Sequence, residues 1–145
     1  MVSSHEHGRS VLSARPSDRF RLLQSWLLGD ARDLGRLRHE LLAVASRASP
    51  APSDDVAGHV VLVASELATN ALRHGSGPTG VHLSSDRGDL LLDVSDEDTV
   101  AAPSIATGRD PGEGGFGLVI AQQLSHELGW YTTATTKHVW ATFTT

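Results

Sequence analysis

DPGEGGFGLVIAQQL, residues 110–124, is the stretch whose reading decides the fold. Its centre, GEGGFGLV, satisfies two patterns at once: the G-x-G-x-x-G of dinucleotide-binding folds and the G-x-G-x-x-G-x-V of protein-kinase glycine loops. Each pattern makes a demand on the sequence around it. A dinucleotide fold needs a strand running into the glycines and an acid about twenty residues later. APSIATGRDP, which precedes Gly112, holds two prolines and is no strand, and the region around Leu128 to Thr133 brings no acid. A kinase of the common type needs a strand lysine, and a P-loop needs G-x-x-x-x-G-K-[ST]. The chain has eleven arginines and one lysine, Lys137, which stands in TTATTKHVW with no glycine run before it. What survives is a glycine-rich loop opening a helix. Free N–H groups and the positive end of the helix dipole suit such a place to an anion, with phosphate as the natural guest.

Upstream, the pattern is helical. Asp30 to Ala48 carries an apolar stripe of Leu34, Leu37, Leu41, Leu42 and Ala45 at steps of three and four residues. SPAPSD, residues 49–54, breaks that helix, and Ser53 or Asp54 caps a second one, DDVAGHVVLVASELATNALRHG, which stops at Gly75 as a left-handed C-terminal cap. Thr79, Val81 and Leu83 alternate, as do Leu90, Leu92 and Val94, so the two runs form a hairpin turning at Asp86 to Asp89. Residues 96–114 have no sustained period and are read as a long loop of the kind that serves as a lid. Gly117 to Leu128 is read as a helix with Gly129 as its stop, and WYTTAT with HVWATFT as a closing hairpin. Arg19 to Leu28 is read as a first strand or edge segment, and residues 1–16 as a flexible arm before one domain at 17–145. Adjacent hairpins predict an α+β two-layer sandwich, a mixed and mainly antiparallel sheet covered on one face by helices.

Composition narrows the functional classes. A chain of 145 residues without cysteine has neither a disulfide nor a thiolate metal site. A net charge of −5, with no clustered basic face, argues against nucleic acid as a partner. No apolar run approaches a membrane span, and residues 1–16 hold no stretch suited to a secretory signal, so cytoplasm is the expected location. The histidines show no HExxH spacing, so His39, His59, His82, His126 and His138 are read as structural.

A second constellation lies in SELATNALRHG, residues 65–75. At about 100° per residue, Glu66 and Asn70 stand about 40° apart, with Arg73 nearby and Val63, Leu67 and Ala71 on the adjoining apolar stripe. A half-sheltered carboxylate can act as a base, and an amide oxygen can ligand Mg²⁺, a hard cation. Asp96 ends LLLDVSD at the mouth of the long loop, where its carboxylate can accept a hydrogen bond from an exocyclic amine.

ELATNALRHG, VSDED and GGFGLVIAQQL resemble the N box and two glycine boxes of the histidine-kinase-like (GHKL) ATPase superfamily, which includes gyrase B and histidine kinase catalytic domains. The small size and the closing KHVWATF strand most resemble its anti-sigma-factor serine/threonine kinase branch. The resemblance covers residues 20–145. It implies ATP and Mg²⁺ as cofactors, with Asn70 holding the Mg²⁺, Glu66 as the base for an attacking hydroxyl and Asp96 reading the adenine amino group. It also implies that Gly115, Phe116, Gly117 and Leu118 contribute to the phosphate site, with Arg73 and His74 nearby and Arg109 within an ATP lid from Thr99 to Gly114. Implied partners are a sigma factor and a small antagonist protein, with a homodimer as the oligomeric state. A non-catalytic ATP-binding or nucleotide-free module that grips a transcription factor is the rival reading. This chain departs from the relatives in three places. Asp96 is followed by Glu97, Asp98, Thr99 and Val100 where D-x-G-x-G is common. Phe116 stands where a basic residue is frequent. The threonine that supports the adenine aspartate from the last strands is replaced near His138 or Val139.

Overall fold

A computed structural model describes residues 11–100 and 116–144. Six strands form one mixed sheet: β1 (Leu12–Ser13), β2 (Arg21–Leu28), β3 (Thr79–Asp86), β4 (Asp89–Asp96), β5 (Glu127–Thr132) and β6 (Lys137–Phe143). Their spatial order is β1-β5-β6-β4-β3-β2, and every neighbouring pair is antiparallel except β1 with β5. The helices are α1 (Leu34–Ser46), α2 (Asp54–His74) and α3 (Phe116–Leu124). The expected two-layer α+β sandwich is what the chain forms.

Period two in the strands and period 3.6 in the helices meet in one core. Val81 and Leu83 of β3, and Leu90, Leu92 and Val94 of β4, turn one way and are buried against Leu37 and Leu41 of α1 and Val60, Val63 and Leu67 of α2. Each fully buried side chain of this kind stabilises the fold by roughly 1.5–3 kcal/mol. Leu42, grouped with the α1 stripe in the sequence, is 45% exposed instead. α1 lies over β2, α2 over β4 and β3, and α3 over β5, which sets α2 at the centre with a helix on each flank.

The start of α2 follows the sequence: Ser53 is the N-cap, its Oγ accepts from the Val56 N–H at 3.2 Å, and Asp54 and Asp55 sit in the first turn. The end does not. Gly75 is extended, at φ −88°, and the left-handed glycine is Gly77, at φ 70°. Gly75 is required for a different reason: a Cβ there would stand 2.5 Å from Asp96 Cγ and 2.7 Å from the Ala71 carbonyl oxygen. α3 is also shorter than the spacing of Leu118, Ala121, Leu124 and Leu128 predicts. It ends at Leu124, where the Ser125 N–H and Oγ both donate to the Ala121 carbonyl, and Leu128 and Gly129 belong to β5. Gly129 is no helix stop; a methyl group there would overlap the Trp140 indole.

Of the stretch expected to be a free arm, Leu12–Ser13 pairs with Gly129 and Trp130 as β1, and Trp140 Nε1 donates to the Ala14 carbonyl at 2.8 Å. Residues 1–10 lie outside the described residues. The face of the sheet away from the helices carries hydrogen-bonded polar side chains beside the buried Leu91 and Trp140. His138 Nδ1 lies 2.7 Å from Asp93 Oδ1 and its Nε2 lies 2.9 Å from Thr136 Oγ1, while Ser25 Oγ lies 2.7 Å from His82 Nδ1. His82 and His138 are thus both held by hydrogen bonds to neighbouring strands and turns on this face. Among the described residues no helix is long and apolar enough to cross a membrane.

Candidate functional site

The end of α2 and the end of β4 meet at one end of the sheet, and α3 packs along α2. Arg38 Nε of α1 donates to Ser65 Oγ at 2.9 Å, so α1 covers the Ser65 and Thr69 flank of α2. Glu66 and Asn70, one turn apart, lie about 100° further round the helix. They face away from α1, toward the α3 flank, and both are half-buried. Arg73 and His74 occupy the last turn and are exposed, where positive charge complements the carboxyl end of the helix dipole.

Asp96 closes β4 and is 5% exposed. It reaches α2 through the gap left by Gly75, so the end of the strand and the end of the helix are brought together at this carboxylate. Oδ1 accepts the Asp98 N–H at 2.7 Å, and Oδ2 lies 3.8 Å from Lys137 Nζ. The next acid, Glu97, is exposed and rests its carboxylate where a Cβ on Gly77 would stand, while its N–H donates to the Ser76 carbonyl at 2.8 Å. The acidic run 96–98 thus does not converge on one point: only Asp96 turns inward.

Lys137 is the residue that sequence reasoning missed. The pairing of β4 with β6 sets it directly opposite Asp96, whereas Val139 pairs with Val94 and His138 turns to the other face. The supporting position expected near His138 or Val139 is therefore occupied by the chain's single lysine. Inward alternation in KHVWATF, where Lys137 falls in phase with Val139, Ala141 and Phe143, was the available signal. Thr79 is a second such residue. Gly80 pairs with Ser95, which puts Thr79 beside Asp96 on the helix-facing side, and its fully buried Oγ1 has no hydrogen-bond partner among the described residues.

At α3, Leu118 spends its side chain on the core, so its contribution to an anion site is its backbone amide. Phe116 and Gly117 form the first turn, whose N–H groups have no partner within the helix. Arg109 and Gly115, and nearly all of the expected lid, lie outside the described residues. A cavity of about 360 Å³ opens at this end of the sheet on the opposite face; Ser25, Leu27, Gly80, His82, Ser95 and Thr136 line it, and it reaches Asp96 and Glu97 but not Glu66 or Asn70.

The donor set suits a magnesium nucleotide. Asn70 offers a hard amide oxygen, α3 offers amide N–H groups for phosphate, and the Asp96 carboxylate and Thr79 hydroxyl offer buried hydrogen-bonding capacity at the sheet end. The family model described as a histidine kinase-like ATPase domain matches residues 28–143 of the chain. A search of curated proteins returned no match.

Proposed function

The chain belongs to the histidine kinase-like ATPase domain family, and from that premise we propose that it is an ATP-dependent regulator that phosphorylates a serine or threonine of a small antagonist protein and, when free of it, sequesters a sigma factor. The observation that carries this reading is that Glu66 and Asn70 lie half-buried together on the flank of α2 turned away from α1, in the turns that lead down to the Gly75 and Asp96 contact. Asn70 would hold Mg²⁺, and bound ATP supplies the transferable phosphoryl group. Glu66 accepts the proton of the attacking hydroxyl as the new O–P bond forms and the bond to the β-phosphate oxygen breaks. Backbone amides of the α3 first turn hold the phosphates in line. Such chemistry is mainly positioning and charge neutralisation, so it needs no strand lysine in the manner of common protein kinases.

The deciding experiment incubates the protein with labelled Mg-ATP and a candidate antagonist. Label on serine or threonine of the antagonist, falling at least about a hundredfold in Glu66→Ala, supports the kinase reading. No label in the presence of bound nucleotide overturns it.

The departure at residues 97–100 supports a second reading, a nucleotide-dependent binding module without transfer. Calorimetry separates the two: nucleotide binding lost in Asn70→Ala together with no phosphoryl transfer to any substrate favours the module. A cytoplasmic location and a second copy of the chain as partner belong to both readings.

A further inference from the structure

Strand pairing assembles a second group of reactive side chains, on the face of the sheet away from the helices. Thr136, just before β6, and His138 within it are two residues apart and so turn to the same face. Asp93 of β4 stands diagonally across from His138, because Ser95 pairs with His138 and Asp93 with Trp140. Counting hydrogen bonds fixes the direction of every proton between them. Thr133 Oγ1 accepts the Thr135 and Thr136 N–H groups at 3.2 and 3.0 Å, which fills both of its lone pairs, so across 2.6 Å it donates its own proton to Thr136 Oγ1. The Thr136 hydroxyl is left to donate to His138 Nε2, 2.9 Å away. The neutral imidazole then carries its hydrogen on Nδ1 and donates to Asp93 Oδ1 at 2.7 Å, while Tyr131 bonds the other Asp93 oxygen and stacks on the ring. Hydroxyl, imidazole and carboxylate thus stand in the order that activates an alcohol: a base aimed at the hydroxyl proton, itself oriented by an acid.

We propose that Thr136 is a nucleophile that takes an acyl group from a carboxylic ester. A network that only pinned the β5–β6 turn to β4 would need no opening beside it, whereas Thr136 lines the cavity of about 360 Å³ and is only half-buried. Leu27 and Pro78 give that cavity an apolar wall for an acyl or aryl group. An ester oxygen can meet Ser95 Oγ and His82 Nε2, which flank the space over Gly80: a Cβ there would stand 2.7 and 3.2 Å from them. Asp96 and Glu97 reach the same cavity, so an uncharged or cationic ester is favoured over an anionic one. As the Thr136 Oγ1 bond to the carbonyl carbon forms, the hydroxyl proton passes to His138 Nε2. The bond from that carbon to the alcohol oxygen then breaks, and the departing oxygen takes the proton from Nε2. Thr136 is left as an ester and His138 neutral. The inference is independent of the nucleotide reading, since neither Glu66 nor Asn70 borders this cavity.

The test treats the full chain, without nucleotide, with 4-nitrophenyl acetate, follows nitrophenolate release and locates the acetyl group by fragmentation mass spectrometry. The wild-type protein is expected to carry its fastest-formed acetyl group on Thr136. His138→Gln is expected to slow acetylation at that position about a hundredfold or more, the usual loss when a general base is removed. Thr136→Ser keeps the hydroxyl and is expected to be acetylated at the same position, whereas Thr136→Ala releases no early nitrophenolate. The wild-type map decides on its own if His138→Gln does not fold: acetyl groups on amines or other hydroxyls with Thr136 unmodified overturn the proposal. Acetylation of Thr136 at the wild-type rate in a folded His138→Gln overturns it too, and leaves the contact as a fastening of the turn. No outcome bears on ATP, so failure here leaves the kinase and binding-module readings where they stand.

Discussion

The phenol of Tyr131, the chain's single tyrosine, is wedged into the polar face of the sheet. Its OH donates to Asp93 Oδ2 at 3.3 Å, and its ring stacks on His138 with centroids 4.5 Å apart. Burial first, then the Asp93 charge, pushes its pKa up to about 12 from the ordinary 10.0. The neutral phenol is the form the fold favours, so its contribution to stability is intact below pH 10 and is lost as pH rises toward 12. An absorbance titration should therefore show one tyrosinate step near 12, moving down in Asp93→Asn; a native-state step at 10.0 would refute the pairing. Glycines divide at the same scale. Gly75→Ala forces a methyl group onto Asp96 and the Ala71 carbonyl and is expected to lower unfolding free energy by about 1–3 kcal/mol. Gly58→Ala, in α2 with open space around it, should raise it by roughly 0.5–1 kcal/mol. Urea midpoints measure both. Gly75 was visible in the sequence as a glycine at a helix end, but the reason for it, an aspartate arriving from β4, was not.

Among the elements, local chemistry was legible and boundaries set by tertiary contact were not. Ser53 caps α2 as its place before the helical pattern predicts, and Ser53→Ala should lower stability by about 1 kcal/mol with an unchanged urea slope. The four-residue step from Leu124 to Leu128 predicts a continuous helix over residues 117–128, a spacing that a core-facing strand residue can match by coincidence. Leu128 faces the same core from β5 as Leu124 does from α3, so apolar periodicity alone could not place the break at Ser125. The β3–β4 turn offers a cleaner case. Arg87 and Gly88 both have positive φ, 53° and 92°, as a two-residue hairpin turn requires. Arginine is a poor choice there. Arg87→Asn is expected to raise stability by up to about 1 kcal/mol, again read from the urea midpoint.

At the scale of the whole molecule, the parts of the site written contiguously, Glu66 and Asn70 on one helix and Asp96 at a strand end, could be read directly. The Lys137 contact could not, because it depends on which strands pair and in what register, and β6 reaches Asp96 only after α3 and β5 have intervened. The same sheet order fixes a further property. On one side β5 is blocked near its middle by β1, whereas on the other the eight residues of β2 form an open edge, with Leu22 59%, Leu23 41% and Leu27 67% exposed. An irregularity between Leu22 and Gln24 interrupts that edge without covering it. Among the described residues the sheet therefore has one long free side. If two copies meet there about a twofold axis, each uses up the one long free side among its described residues, and β2 offers no further edge to a third copy. Assembly by this route has its stoichiometry written into the strand order, a pair that ends itself, and light scattering across a concentration series should level off at twice the chain mass without passing it.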